Sequence, residues 1–140
     1  MSRTYRTFQE NCRNRTWYFP VVADYPGIDM RRVYPLKQKF VCKMIDLLKE
    51  TPWITKAVLF GSSLSNACHI DSDTDLAVWV DFEYLKSHNM SLHFNGINNI
   101  DIKGTDILIM NNGVTFSDSF LNNIEKGLIL KDEQTVKEGK

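Results

Sequence analysis

The stretch that decides the fold runs from residue 59 to residue 80 and reads LFGSSLSNACHIDSDTDLAVWV. An apolar run ends at Gly61-Ser62, ten residues follow, and Asp73 and Asp75 then stand at the mouth of a second apolar run. Short apolar runs bounded by turn residues are typical of buried strands. The stretch therefore predicts two strands joined by a polar loop, with two carboxylates at the start of the second strand.

The flanking sequence adds helices and further strands. Apolar residues at spacings of three and four predict a helix over 31–50, which Thr51-Pro52 should end because the residue before a proline disfavours helix. Leu36 and Met44 belong to its expected apolar face. Further elements are predicted at 82–88 (helix), 105–110 (strand), 117–126 (helix) and 128–130 (strand). Helices that alternate with short apolar strands indicate an α/β sandwich.

Two helix details can be tested against the structure. The segment 62–67 is expected to form one or two helical turns with a serine as N-cap. In the helix at 117–126, we expect Phe120, Leu121 and Ile124 to point inward, and Gly127 to occupy the C-terminal cap.

Composition excludes several classes of protein. The chain has 140 residues, 43% of them hydrophobic, and 17 basic residues balance 17 acidic ones. Such a chain is one domain's worth of sequence, and a net charge of zero argues against binding to polyanions through overall charge. No apolar run reaches the roughly 18 residues of a membrane span, and the N-terminus has no apolar signal region. We expect a soluble, cytoplasmic protein with its three cysteines reduced.

Asp73 and Asp75 form the first candidate for chemistry. Side chains two apart on a strand share a face, so these carboxylates should project side by side. Buried together they would repel, unless a hard cation lies between them. Asp106 starts the strand at 105–110, and it would join them if that strand lies beside the second one. Three carboxylates suit magnesium, and at least one should have a raised pKa without it.

Gly61-Ser62 forms the second candidate. A glycine after a strand lets the backbone turn tightly and approach a ligand. Free N–H groups at the start of a helix suit a phosphate, and the Ser62 hydroxyl adds a donor. One loop is thus expected to hold triphosphate oxygens while the facing carboxylates hold metal ions.

These residues resemble those of the polymerase-β-type nucleotidyltransferase superfamily, and most of all its small standalone minimal nucleotidyltransferase domains. The similarity rests on Gly61-Ser62, on Asp73-x-Asp75 followed by Leu-Ala-Val, and on Asp106 in Thr-Asp-Ile-Leu-Ile. It covers roughly residues 33 to 130. The resemblance implies an α/β (α+β) nucleotidyltransferase fold, a small mixed sheet with helices packed mainly on one face.

The resemblance also implies an activity and a role for each motif. Gly61 and Ser62 would bind the triphosphate, Asp73 and Asp75 would bind Mg²⁺, and Asp106 would complete the metal site and help to activate the acceptor. The enzyme would transfer a nucleoside monophosphate, with ATP as the default donor, to a hydroxyl of a protein or small molecule, and release pyrophosphate.

One departure from the family pattern keeps a second reading open. Ser65 and Asn66 stand where many members carry Arg-Gly. A weakly active or inactive binding module, such as an antitoxin-like regulator that contacts a partner protein, is therefore the alternative. A further alternative is that the motifs have no catalytic role and are an ordinary strand-to-helix turn and solvated aspartates.

The expected organisation is an N-terminal arm at 1–32, the nucleotidyltransferase domain at 33–131 and a charged tail at 132–140. So short a domain has no separate part to hold an acceptor, so its acceptor side should be open or completed by a partner protein or a second copy of the chain. A membrane partner is not expected, and no motif indicates nucleic acid or reads a base.

Overall fold

The computed structural model of the chain describes residues 18–65, 73–90 and 105–133. Its regular elements are three α-helices, four strands and two single 3₁₀ turns, at Met30–Arg32 and Gly61–Leu64. In chain order they are α1 (Pro35–Lys49), β1 (Ile54–Phe60), β2 (Thr74–Val80), α2 (Phe82–Ser87), β3 (Thr105–Ile109), α3 (Asp118–Glu125) and β4 (Leu128–Asp132). Each predicted helix and strand within these ranges is confirmed, with ends that move by a few residues.

Helix α1 begins at Pro35, four residues later than the pattern predicts. Proline lacks an N–H and fits the first turn of a helix, so α1 begins at Pro35. The residues before it form a separate 3₁₀ turn at Met30–Arg32. The buried stripe runs through Val41, Met44, Ile45 and Leu48. Leu36 is 60% exposed, so its predicted place on the apolar face is wrong.

The four strands form one mixed sheet in the order β3-β2-β1-β4. Strand β1 runs antiparallel to both β2 and β4, whereas β2 and β3 are parallel. The parallel pair places the starts of β2 and β3 at the same edge of the sheet, which is the edge where β1 ends.

The two faces of the sheet differ. On the α1 face, the buried side chains of α1 and the strands form one large core, which also includes Leu85 of α2. On the α3 face, only Val58, Ala77 and Ile124 are buried together. Two of the three helices therefore pack on one face, as expected. Leu121 is 43% exposed because the stripe of the two-turn α3 passes through Phe120 and Ile124, so its inward prediction is wrong.

The segment that precedes α1 is held by the buried side chain of Gln38. Its Oε1 accepts from the backbone N–H groups of Val22 (2.7 Å) and Ala23 (3.0 Å). Its Nε2 donates to three backbone carbonyls, those of Pro20, Met30 and Val33, at 2.9–3.1 Å. Residues 18–34 are therefore part of the packed body of the protein.

No helix within the described ranges is long and apolar enough to cross a membrane. Cys42 is a free thiol, while Cys12 and Cys68 lie outside the described residues, as do Asn66, residues 1–17 of the expected arm and residues 134–140 of the expected tail.

Candidate functional site

Gly61 makes the turn at the end of β1. Its φ of +81° is a left-handed conformation that other residues rarely adopt. A Cβ atom at this position would also collide with Oδ2 of Asp75. The backbone angle therefore favours glycine, and any other residue would also have to displace the Asp75 carboxylate.

The turn that follows Gly61 is a tight 3₁₀ turn. The carbonyl of Ser62 accepts from the backbone N–H of Ser65 at 3.0 Å, and the carbonyl of Ser63 accepts from the N–H of Tyr34 at 2.8 Å. Phe60 occupies the N-cap without a side-chain hydrogen bond, so the expected serine cap is wrong. The reason is that the turn starts at the glycine itself, one residue before Ser62. Ser62 is half-buried beside the end of the sheet.

The carboxylates of Asp75 and Asp106 come from neighbouring strands. Asp75 pairs in register with Asp106 between the parallel strands β2 and β3. The two side chains therefore leave the same face of the sheet. Asp73 lies one residue before β2. The structure thus confirms the strand pairing on which the convergence of the three aspartates depends.

The electrostatics of this edge centre on Asp75, the half-buried member of the three, since Asp73 and Asp106 are exposed. Burial raises the pKa of Asp75, and the negative charges of Asp106 and then Asp73 raise it further. The expectation of a raised pKa is confirmed, but burial rather than like charge is its largest cause. A cation at this edge would favour the charged form.

The carboxylates at this edge are candidate ligands for magnesium. Within the described ranges, no three side chains among His, Cys, Asp and Glu come together closely enough to hold a metal ion. The donor chemistry nevertheless suits the ion, because magnesium takes one or two carboxylates and completes its shell with substrate phosphates and water. Asp75 and Asp106 offer that pair on one face.

Three phenylalanines form a connected group that reaches the carboxylates through Phe60. The sequence analysis predicted none of them as a site residue and treated Phe120 as core. Phe60 is the direct partner of Asp75 across β1 and β2. Its ring meets that of Phe120 edge to face at 5.7 Å, and Phe120 stacks on Phe116 at 5.3 Å. We call Phe60, Phe116 and Phe120 the aromatic cluster. In the sequence, the one indication of this cluster is that Phe60 directly precedes Gly61.

A groove of about 310 Å³ opens farther along the same face. The Lys56 ammonium lies 4.9 Å from the centre of the Trp79 ring, and Leu121, Ile124 and Glu125 of α3 form the opposite wall. Lys56 and Trp79 are each four residues from the carboxylate edge along their strands, so the groove is separate from the aspartates.

A family model described as "Polymerase beta, Nucleotidyltransferase" matches residues 42–135, more than half of the chain. Gly61, Ser62, Asp73, Asp75 and Asp106 all lie inside the match. A search of curated proteins gives no match.

Proposed function

The chain belongs to the polymerase β nucleotidyltransferase family, and from that premise we propose that it transfers a nucleoside monophosphate, with ATP as the donor, to a hydroxyl of a protein or small molecule. Pyrophosphate is the second product. Asp73, Asp75, Asp106, Gly61 and Ser62 are the residues to which we assign this reaction.

The observation that carries the proposal is the pairing of Asp75 with Asp106 beside Gly61. The register places the two aspartates next to each other on one face, and Gly61 leaves no room for a side chain between the turn and Asp75. A ligand bound to the backbone of the turn would therefore lie beside the carboxylates. A nucleoside triphosphate suits both the turn and the carboxylates, because it has phosphate oxygens that the turn can bind and an α-phosphorus that an acceptor hydroxyl can attack.

The chain's own residues have distinct tasks in the proposed reaction. The Gly61 backbone and the Ser62 hydroxyl bind β- and γ-phosphate oxygens and hold the leaving group in place. A carboxylate oxygen of Asp106 accepts the proton of the acceptor hydroxyl. The acceptor oxygen then forms a bond to the α-phosphorus, the bond from that phosphorus to the bridging oxygen breaks, and pyrophosphate leaves with the electron pair.

Asp75 and Asp106 are the pair that would hold magnesium, and Asp73, exposed one residue before β2, would have to move toward this pair to become the third ligand. When bound, the ion supplies positive charge against the phosphate oxygens and the attacking and leaving oxygens. The raised pKa of Asp75 is consistent with this role, because a carboxylate that costs free energy when alone gains most from a cation.

The double substitution Asp73→Asn with Asp75→Asn tests the proposal. The protein is incubated with labelled ATP, Mg²⁺ and a cell lysate as the source of acceptors, and transferred label and pyrophosphate are measured. We expect label transfer and pyrophosphate release by the double variant to fall to background, while its melting temperature stays at or above that of the wild type. Asp24→Asn with Glu50→Gln, two exposed acidic residues before α1 and at its C-terminal end, makes the same charge change and should retain activity. Undiminished transfer in the double variant would reject the assignment.

A contact-only binding module is the second candidate. The observation in its favour is Ser65, which stands where many members of the family carry an arginine that can grip phosphate. The same incubation separates the two functions. Transferred label supports the enzyme, whereas absence of label together with a protein partner that co-purifies supports the binding module.

A further inference from the structure

We propose that the aromatic cluster binds the base of the nucleotide by stacking, and that this favours purines. The inference rests on the proposed function and deepens it, because it assigns the part of the site that holds the base. Three observations carry it: the position of the cluster, the exposure of its rings and the angle between them.

The cluster adjoins the carboxylates through Phe60. Phe60 is directly opposite Asp75 in the antiparallel pair, so the two side chains share a face of the sheet. Cβ atoms of directly opposed residues are about 4.5–5.5 Å apart. In a nucleotide, one ribose separates the base from the α-phosphate. A base whose phosphates lie at Gly61 and Asp75 therefore has the aromatic cluster within reach.

The rings of the cluster are not sealed into the core. Phe60, Phe116 and Phe120 are all half-buried, although the sheet positions that face α1 at the same end, such as Leu59 and Leu76, are fully buried. Each ring therefore keeps apolar surface that can still be removed from water. A flat ligand that covers this surface gains free energy that the protein alone does not realise.

The angles between the rings suit a planar ligand. The Phe116 and Phe120 rings are tilted by only 28°, whereas the Phe60 ring stands at 87° to that of Phe120. A base that lies flat on one ring would meet the other at its edge, and both arrangements are favourable for aromatic pairs. The cluster offers no charged group of its own, so the contact should depend on stacking area, which is larger for a purine.

The groove beside Trp79 is the competing place for a base. Along β2, Trp79 is four residues beyond Asp75, which corresponds to roughly 13 Å at the rise of a strand. One ribose cannot span that distance from an α-phosphate bound at the carboxylates. The aromatic cluster is therefore the better site.

Binding measurements can separate the base from the phosphates. Affinities for Mg·ATP, Mg·CTP and Mg·tripolyphosphate are measured by calorimetry for the wild type and for Phe120→Leu, which keeps apolar volume and removes the aromatic ring. We expect ATP to bind more tightly than CTP, and CTP more tightly than tripolyphosphate. In Phe120→Leu, affinity for ATP should fall roughly tenfold, with no change for tripolyphosphate. Leu121→Ala, an exposed neighbour on α3, is the matched control and should change neither affinity.

Each outcome has a distinct meaning. If ATP binds no more tightly than tripolyphosphate, or if Phe120→Leu leaves their ratio unchanged, the base does not stack on the cluster, while the proposed function stands. If neither ligand binds the wild type with Mg²⁺, the proposed function fails as well. Should Phe120→Leu not fold, Phe116→Leu gives the same test, because Phe116 precedes α3 and stacks on Phe120.

Discussion

The two faces of the sheet use alternate residues of the same strands for different tasks. On β2, Leu76 and Val78 are fully buried against α1, whereas Asp75 and Trp79 on the other face are half-buried. One face is sealed by a fifteen-residue helix, and the other is partly covered by an eight-residue helix. One layer of strands thus separates the part that stabilises the protein from the part with exposed carboxylates and aromatic rings.

The largest effect should come from breaking the sealed face. Leu48 of α1 is fully buried, so Leu48→Ala removes apolar contacts and leaves a cavity. We expect it to lower the free energy of unfolding by about 2–5 kcal/mol, measured by denaturant titration. Ile124→Ala on the partly open face should cost about 2 kcal/mol, because that face can relax around the cavity.

Leu36→Ala is the control for this comparison, since Leu36 lies on α1 but is 60% exposed. Its effect should stay within about 0.5 kcal/mol. An equal loss of stability from Leu48→Ala and Leu36→Ala would contradict the assignment of the sealed face.

A smaller effect is expected at the turn that joins the sheet to the site. Gly61 and Gly113 both have positive φ, +81° and +77°, but only Gly61 has a carboxylate where a Cβ would stand. Gly113→Ala should cost about 1 kcal/mol from backbone strain alone. Gly61→Ala should cost at least about 2 kcal/mol in unfolding free energy, because strain and collision act together.

Removal of the Asp75 side chain would show whether the extra cost arises from the collision. In an Asp75→Gly background, Gly61→Ala should become as mild as Gly113→Ala. A penalty that stayed the same in that background would place its origin elsewhere.

The smallest effect concerns charge at the open edge. Because the pKa of Asp75 is raised, ionisation costs more in the folded than in the unfolded protein, and stability is lost as the pH rises past the ordinary pKa of an aspartate, about 4. Asp75→Asn should therefore raise the melting temperature at pH 7 without metal. The gain should disappear as the pH falls below about 4, where both states are protonated.

Asp106→Asn sharpens this test. It removes a like charge but leaves Asp75 in place, so it should raise the melting temperature less than Asp75→Asn, since burial is the larger cause of the shift. An equal gain in melting temperature from Asp106→Asn would show that repulsion, and not burial, dominates at this edge.

Most of the fold could be predicted from the sequence because its periodicities are local. The apolar runs at 56–60 and 75–80 and the residue pair Thr51-Pro52 locate β1, β2 and the end of α1. The start of α1 could not be placed, because an apolar spacing continues upstream of Pro35 into the 3₁₀ turn. The exposure of Leu36 and Leu121 depends on how each helix is rotated against the sheet, which spacing alone does not give.

The candidate site could be predicted only in part. Gly61 and the aspartates form a sequence pattern, and the proximity of Asp106 needed the parallel pairing of β2 and β3, which the structure supplies. The aromatic cluster joins β1 to residues more than fifty positions later in the chain, so a local sequence pattern does not predict that these rings meet. Their roles in binding and catalysis stay predictions until the substitutions above are measured.

Gln38 also sets a limit on how far the protein can be shortened. The family match starts at residue 42, inside α1. A chain shortened at its N-terminus so that it begins at residue 35 would keep all four strands. It would also lose all five backbone partners of the Gln38 amide and the buried side chains of Phe19, Met30 and Val33. The amide and the apolar surface of α1 would then face water. We therefore expect a chain that begins at Phe19 to be more stable than one that begins at Pro35, although both start before the family match.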